Sequence, residues 1–456
     1  MEHPINITVI NDAIGIPPSE DGIMMLFLKG VAVANTLALN TAYLLTKLSD
    51  AEDLGITADY DSTNGAAVYQ QISEFYTQAG DGALLWIVVT AISTNPYATY
   101  VASDVFKSLV RYTASADPLN RAKMIGLCYE VPTATQSTAD FPTDVTDTIT
   151  ALQTVQQQLF NEGYQFSAII DGYKMSDSVT PTTIATMATK GAFSVSLCIT
   201  GTKPNGVSAV GQALGRFARI SVGHGFGAVE DGPLSNTSAY LTNGASIPAS
   251  GTLVVGKSYT VLGGPITYNA LTKNVGDTFT AVTGQTTFTT SAGGYVVTGA
   301  TPVGSLQPED VTALGQKQFL FMRTWFNHSG FYWNDGATCE QPAKQLSTQE
   351  YNRVANKLSG DSLTFFIDEM GKNLPLNTAT GNVDQGYLNA KQAQFYQAYI
   401  GPISVVQGGT GDLSDGAIQI TGVNFNVTKT LNFTIRIVPT PILGAVNGTI
   451  TFVSIL

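Results

Sequence analysis

Between residues 23 and 218 the apolar positions alternate between two rhythms. Short runs that are almost wholly apolar occupy 23–28, 83–89, 124–128, 167–170 and 193–199. A run of that length with no polar alternation reads as a strand buried on both faces. The intervening segments 40–54, 64–79, 144–162 and 207–218 place apolar residues three and four apart, several of them behind a capping residue, which predicts amphipathic helices. Strands alternating with helices predict a mostly parallel sheet covered on its faces.

Near Leu234 this alternation stops. Residues 235–307 carry almost no charge and no helical period. They hold short alternating runs such as Ser258-Tyr-Thr-Val-Leu262, Thr278-Phe-Thr-Ala-Val282 and Tyr295-Val-Val-Thr298, cut by Gly-Gly and Asn-Gly turn signals. Helical character returns at Pro308-Glu309-Asp310, an acidic first turn, and an aromatic-rich stretch spans 319–333. A helix is predicted over 348–358, and 417–456 reads as strand, including 423–427. The first residues, Ile5-Asn-Ile-Thr-Val-Ile10, alternate as well, before Pro17-Pro18 blocks a helix.

The expected fold class is therefore α/β. A helix-covered, mostly parallel sheet core carries a small inserted all-β domain and an α+β C-terminal domain, with extended β arms at each end of the sequence. The expected divisions are 1–20, 21–234, 235–307, 308–440 and 441–456.

Composition narrows the function. Charged residues make up 12% of the 456 positions, about half the ~25% of ordinary soluble domains. Neutral polar residues must then supply most of the surface, which suits extensive contact with other protein. The 22 basic and 34 acidic residues leave a net charge of −12. That balance opposes binding to nucleic acid or an anionic membrane, both of which need clustered Lys and Arg. Three dispersed cysteines, Cys128, Cys198 and Cys339, suggest neither a disulfide framework nor a metal knuckle. Met1-Glu-His-Pro4 lacks the basic and apolar regions of a signal peptide, and the longest apolar run, 83–92, falls short of a membrane span. A soluble chain, not exported by the common signals and not inserted in a membrane, is expected.

Candidate chemistry is sparse. Gly251-Thr-Leu-Val-Val-Gly256-Lys257-Ser258 satisfies the phosphate-loop pattern, yet strand and turn formers follow it where a helix N-terminus is needed, so a β-hairpin is favoured. His224 sits in a Gly-rich turn where a nucleophile elbow would require Ser. His328 and Cys339 could suggest a pair, but nothing marks the thiol as activated. The acidic pairs Glu52-Asp53, Glu309-Asp310 and Asp368-Glu369 read as helix-end or surface residues. No catalytic, cofactor-binding or metal-binding residue is assigned.

The order of segments resembles the contractile tail sheath family of bacteriophages and related injection machines. One carrying stretch runs from Leu45 to Ile56 through Asp50-Ala-Glu-Asp-Leu-Gly55, followed by a helix leading into the strand 83–89. The second joins Gly330-Phe-Tyr-Trp-Asn-Asp-Gly-Ala-Thr-Cys339 to Tyr351-Asn-Arg-Val-Ala-Asn-Lys357. The third is the strand-rich end, with Ile435-Arg-Ile-Val-Pro439. The segment 235–307 departs from the family pattern and is similar to small β modules on virion proteins of phages of Bacteroidetes-type hosts.

The resemblance implies a non-enzymatic virion subunit of the tail, assembled in the host cytoplasm. It would polymerise as a helical homo-oligomer around a tail tube protein, meet baseplate and tail terminator proteins, and drive the tube through a bacterial envelope on contraction. It also implies that the arms donate strands to neighbouring copies. The alternating positions Ile5, Ile7, Val9, Ile450 and Phe452 are the candidates, since an unpaired apolar strand needs a partner sheet. Lys344, Arg353 and Lys357 gather three basic residues near one helix and are the candidate tube-facing residues. The alternatives are another virion structural or glycan-binding adhesive protein, and a phosphate-loop nucleotide enzyme.

Overall fold

Strands with no polar residue to spare have to be covered on both faces, and they are. The computed structural model describes residues 21–440 apart from 93–96, 117–120, 129–138, 177–178, 244–245, 248–251, 254, 256–257, 263, 275–276, 291–294, 299 and 424. In it β1 (Met24–Gly30), β2 (Ala42–Leu45), β3 (Leu85–Ala91), β4 (Met124–Cys128), β5 (Ser167–Asp171) and β6 (Val195–Cys198) form one sheet in the order β2-β3-β1-β4-β5-β6. All neighbours pair parallel except β2, which runs antiparallel on the edge of β3. The parallel strands thus follow a doubly wound order. The expected arms, and with them Ile5, Ile7, Val9, Ile450 and Phe452, lie outside the described residues.

Residues 40–54, read as one helix, divide into β2 and the short α1 (Leu48–Asp53). Local chemistry explains the break. The Asp50 carboxylate accepts from the backbone N–H of Thr46 at 2.8 Å and of Lys47 at 3.2 Å, so the helix begins only there and leaves residues 42–45 free to pair with β3. The chain continues through α2 (Ala58–Asn64), α3 (Val68–Ala79), α4 (Tyr97–Ala102), α5 (Asp104–Ala116), α6 (Thr143–Asn161) and α7 (Val210–Arg219).

Side chains of each strand alternate between two cores. Met25, Phe27, Ile125, Leu127, Ile170 and Leu197 meet the α4, α5 and α6 layer. Met24, Leu26, Leu28, Met124, Ile169 and Cys198 meet α3 and α7 on the opposite face. The α3–α7 contact is unusually close: a Cβ on Gly211 would fall on the carbonyl oxygen of Gln71. The Gln71 side chain bridges the same gap, donating to the Ser208 carbonyl at 2.7 Å and accepting from the Gly211 N–H at 2.6 Å.

Residues 240–298 hold only strands and turns where described, and a single 3-10 turn (Val303–Ser305) follows. After the two-residue pair β7 (Thr200–Gly201) and β8 (Tyr240–Leu241) come β9 (Ser246–Ile247), β10 (Ser258–Leu262), β11 (Ile266–Tyr268), β12 (Leu271–Lys273), β13 (Thr278–Thr280), β14 (Thr289–Thr290) and β15 (Tyr295–Thr298). They form a β13-β10-β15-β9 sheet and a β12-β11-β14 sheet, both antiparallel. A separate core of Leu253, Tyr259, Val261, Ile266, Tyr268, Ala281, Phe288 and Val296 lies between them.

Next come α8 (Pro308–Gln316), the hairpin β16 (Met322–Trp325) and β17 (His328–Trp333), and α9 (Gln349–Ile367). The chain divides into two compact units, one of residues 1–222 and 226–360, the other of 223–225 and 361–456. The break therefore lies at 360/361 rather than at 307/308. Backbone pairing gives the reason. The amide of Leu320 donates to Leu197 and that of Ile199 to Leu320, both at 3.0 Å, while Cys339 donates to Val195 at 2.7 Å. Residues 319–339 thus extend the β6 edge, with Phe319 and Phe321 inside the α/β core.

Gly211→Ala should lower stability by about 3 kcal/mol with no change in secondary structure, as measured by urea unfolding followed by circular dichroism. A loss below about 0.5 kcal/mol would show that α3 and α7 can separate freely.

Candidate assembly surfaces

The helix singled out for its basic residues turns out to be anchored from within. Arg353 is 4% exposed. Its guanidinium donates to the carbonyl of Ser221 at 3.1 Å and to those of Phe217 and Ile220 at 3.0 and 3.3 Å. Phe217 is in the last turn of α7, Ile220 is its C-cap and Ser221 follows, and a planar fork of donors satisfies several such carbonyls together. Arg353 therefore caps α7 inside the α/β unit and is not a tube-facing residue. Lys357 lies 2.9 Å from the carboxylate of Asp21, with both side chains largely covered. Lys344 is exposed. Arg353 and Lys357 line one small cavity of the α/β unit together with Asp21.

The rest of the α9 start follows the same logic. Asn352 Nδ2 donates to the carbonyls of Phe193, Thr348 and Leu346 at 2.5, 2.9 and 3.1 Å. Gln349 Nε2 donates to the Ala168 carbonyl at 3.1 Å and to Ser196 Oγ at 2.9 Å. Glu350 accepts from the Phe226 N–H at 2.8 Å. The Asn352-Arg353-Val354 segment thus fastens α9 to the sheet and to α7. Nearby, burial and then the charge of Glu350 push the Asp335 carboxyl up to about 6; burial also raises Glu350 itself.

Candidate chemical groups disperse. Ser258 of the phosphate-loop pattern opens antiparallel β10, and no helix follows it; Gly251, Gly256 and Lys257 lie outside the described residues. Cys128, Cys198 and Cys339 are buried, and burial pushes the Cys198 and Cys339 thiols up to about 12. His328 is exposed on β17. Among the described residues no cluster of His, Cys, Asp and Glu could hold a metal ion, and no helix is long and apolar enough to cross a membrane.

The second unit presents a different kind of surface. It contains α10 (Gln385–Phe395), β18 (Leu413–Thr421), the single turn α11 (Phe425–Thr428) and β19 (Asn432–Pro439). Residues 425–428, within a segment read as strand, are instead part of the connection, with Val423 and Val427 exposed. β18 and β19 pair antiparallel from Thr421↔Asn432 to Leu413↔Pro439. The ribbon is backed by aromatic rings: Phe433 stacks on Phe366 at 4.5 Å, and Phe395 packs against Phe365 at 5.3 Å.

Its two edges differ. On β18, Leu413 bridges Ser404 and the Ile420 N–H donates to Gln392 Oε1 at 2.7 Å. Among the described residues no strand pairs with the other edge of β19. β19 is half exposed along its length, with Phe433 41% and Val438 58% accessible. A two-stranded ribbon of this kind is marginal alone, and its open edge is a template for another strand. Sequence reading identified this strand but not its edge, since pairing order depends on distant chain.

The same unit holds an ionic knot. Glu369 accepts from Lys372 and Lys391, each at 2.9 Å, and from the Tyr387 hydroxyl. Burial raises its carboxyl, but these donors outweigh burial and hold it down to about 2.

Two pH-dependent outcomes follow from these carboxyls. The depressed Glu369 contributes stability above its unfolded value near 4.5 that is lost as pH falls toward 2. Glu369→Gln should therefore destabilise the chain at pH 7 and have little effect at pH 2.5. Asp335 has the opposite sign: its raised value lowers stability as pH rises from 3.8 through about 6. Asp335→Asn, which keeps the oxygen facing the Ala337 N–H, should raise the melting temperature at pH 7.5 more than at pH 4. Thermal scans across pH check both, and pH-independent differences would refute the assignment.

Comparison with known proteins places this fold. Two chains from assemblies of the anti-feeding prophage, its helical sheath in the contracted state and its six-fold symmetrised baseplate, match with TM-scores of 0.54 and 0.51 at 9% and 10% identity. Each match covers 99% of both chains. A chain from the contracted sheath complex of the extracellular contractile injection system PVC matches at 0.51 and 10% identity, over 99% of this chain and 98% of that one. At such low identity the likeness is one of fold. No curated protein matches the sequence significantly. A family model described as "DUF2586, N-terminal domain" matches residues 3–250, more than half of the 456, and the chain belongs to that family.

Proposed function

We propose that the chain is the structural subunit of a contractile sheath, polymerising around a tube and driving it through a bacterial envelope by a change of helical packing. The observation that carries this reading is the outer edge of β19, with which no strand pairs among the described residues and which is half exposed along its length, in a chain whose fold is shared, end to end, with chains of contractile assemblies. The alternating segments 5–10 and 449–455 have the composition of strands that could add to such an edge. A strand donated to a neighbour's ribbon is a heterologous contact, and repetition of a contact that does not close builds a helical array.

Three alternating apolar side chains entering a neighbour, such as Ile5, Ile7 and Val9, contribute on the order of 5 kcal/mol before ordering costs. That is enough to keep adjacent copies linked while their domains reorient. Low charge supports the same reading, because neutral polar surface is covered by further copies at little desolvation cost. In this arrangement the tube, baseplate and terminator proteins are the other partners. Of the three basic candidates, Lys344 is the one whose side chain is open to a tube. The part of 235–307 that carries a core of its own, from Leu253 to Val296, would decorate the polymer.

Electron microscopy of the purified chain tests the proposal: filaments or hollow cylinders are expected, and only discrete particles would oppose it. Placing Pro at Ile7, or deleting residues 1–14, should abolish the polymer while the monomer keeps its circular dichroism and melting temperature. A polymer that survives both changes would remove the N-terminal segment from the linkage. Replacing 246–298 with a short Gly-Ser linker should leave polymerisation intact, as seen by sedimentation.

A further inference from the structure

The six-stranded sheet ends differently at its two sides. Beyond β6, Leu320 and Cys339 take up backbone groups of Val195, Leu197 and Ile199. At the opposite side β2 pairs with β3, and among the described residues no strand meets its outer edge. Ala42, Tyr43 and Leu44 are half-buried, whereas β3, one strand inward, is buried from Leu85 to Thr90. In an antiparallel strand about half the residues turn N–H and C=O away from the partner, so β2 presents backbone donors and acceptors outward.

Both faces beside this edge are apolar. Leu44 packs on the core beneath α4, α5 and α6. On that side Val105 and Tyr112, seven apart on one face of α5, are 45% and 49% exposed. Tyr112 meets the ring of Trp86, the residue paired with Leu44, at 6.2 Å. Tyr43 and Leu48 pack on the other core. Side chains of an added strand would alternate between these two faces, as those of β2 do. The edge also lacks the devices that blunt exposed strands, since Ala42-Tyr-Leu-Leu45 has no charge, no proline and no bulge.

The sequence supplies the occupant. Two segments outside the described residues, 5–10 and 449–455, alternate apolar and polar residues without a charge, and each calls for a sheet to join. The outer edge of β19 takes one strand. The far edge of β18 is engaged, with Leu413 bridging Ser404 and the Ile420 N–H bonded to Gln392. We propose that the outer edge of β2 is a second acceptor, filled in the polymer by a terminal segment of another copy. The inference rests on the reading of the chain as a self-assembling subunit and extends it from one strand linkage per copy to two. Donor and acceptor are different surfaces, so this contact is also heterologous and propagates without closing.

Hydrogen exchange of the full chain before and after polymerisation, read by mass spectrometry on fragments covering 42–45, 432–439, 5–10 and 449–455, tests this. All four should exchange at least tenfold more slowly in the polymer. A polymer in which 432–439 slows and 42–45 does not would overturn the inference and leave the assembly reading intact; absence of any polymer would overturn both. Slow exchange of every amide in 42–45 before polymerisation would also overturn it, because the edge would then be covered within one subunit. Leu44→Lys, which places a charge on the edge, should raise the concentration needed for polymerisation at least tenfold while the free chain keeps its circular dichroism. An unchanged concentration would remove β2 from the linkage.

Discussion

The fold depends on the satisfaction of backbone carbonyls by side chains from far along the sequence. Arg353 supplies donors to the end of α7, Asn352 to Phe193, and Gln349 to Ala168, so that the beginning of α9 closes the polar ends of elements laid down more than a hundred residues earlier. A buried carbonyl left without a donor costs about as much as the hydrogen bond it lacks. Removing one of these groups would therefore expose several deficits together. It follows that a polar helix start in an otherwise apolar interior is a structural clasp, and its charge is not available to a partner.

That distinction separates two kinds of surface in one molecule. In the α/β unit β2 forms one edge of the sheet, Leu320 and Cys339 pair beyond β6 at the other, and two helical layers cover the faces. The second unit leaves β19 with an open edge among the described residues. Its ribbon is braced by Phe366, which stacks on Phe433, and by Gln392 of α10, which accepts from the Ile420 N–H.

Much of this was legible in the sequence where local pattern suffices. The unbroken apolar runs at 124–128 and 167–170 became β4 and β5 almost residue for residue, because strands buried on both faces leave no room for another reading. The all-β character of 240–298 followed from its turn signals. Less legible were features set by distant partners. α4 and α5 were missed; α4 starts where Asp144 accepts the amides of Tyr97 and Ala98, a cap forty-six or more positions away. The helix in 40–54 failed because pairing with β3 outweighed its helical spacing. Arg353 was misread for the same reason: a rare basic residue in an acidic chain looks like a surface signal, and only the fold reveals the carbonyls it serves.

The central claim is that β19 receives a strand from another copy. A density map of the assembled polymer at a resolution that allows residue-by-residue tracing tests it most directly. The account predicts a strand hydrogen-bonded along the outer edge of β19, continuous with the N- or C-terminal segment of a neighbouring subunit. A strand there that traces back to the same subunit, or a β19 edge facing solvent in the polymer, would contradict it.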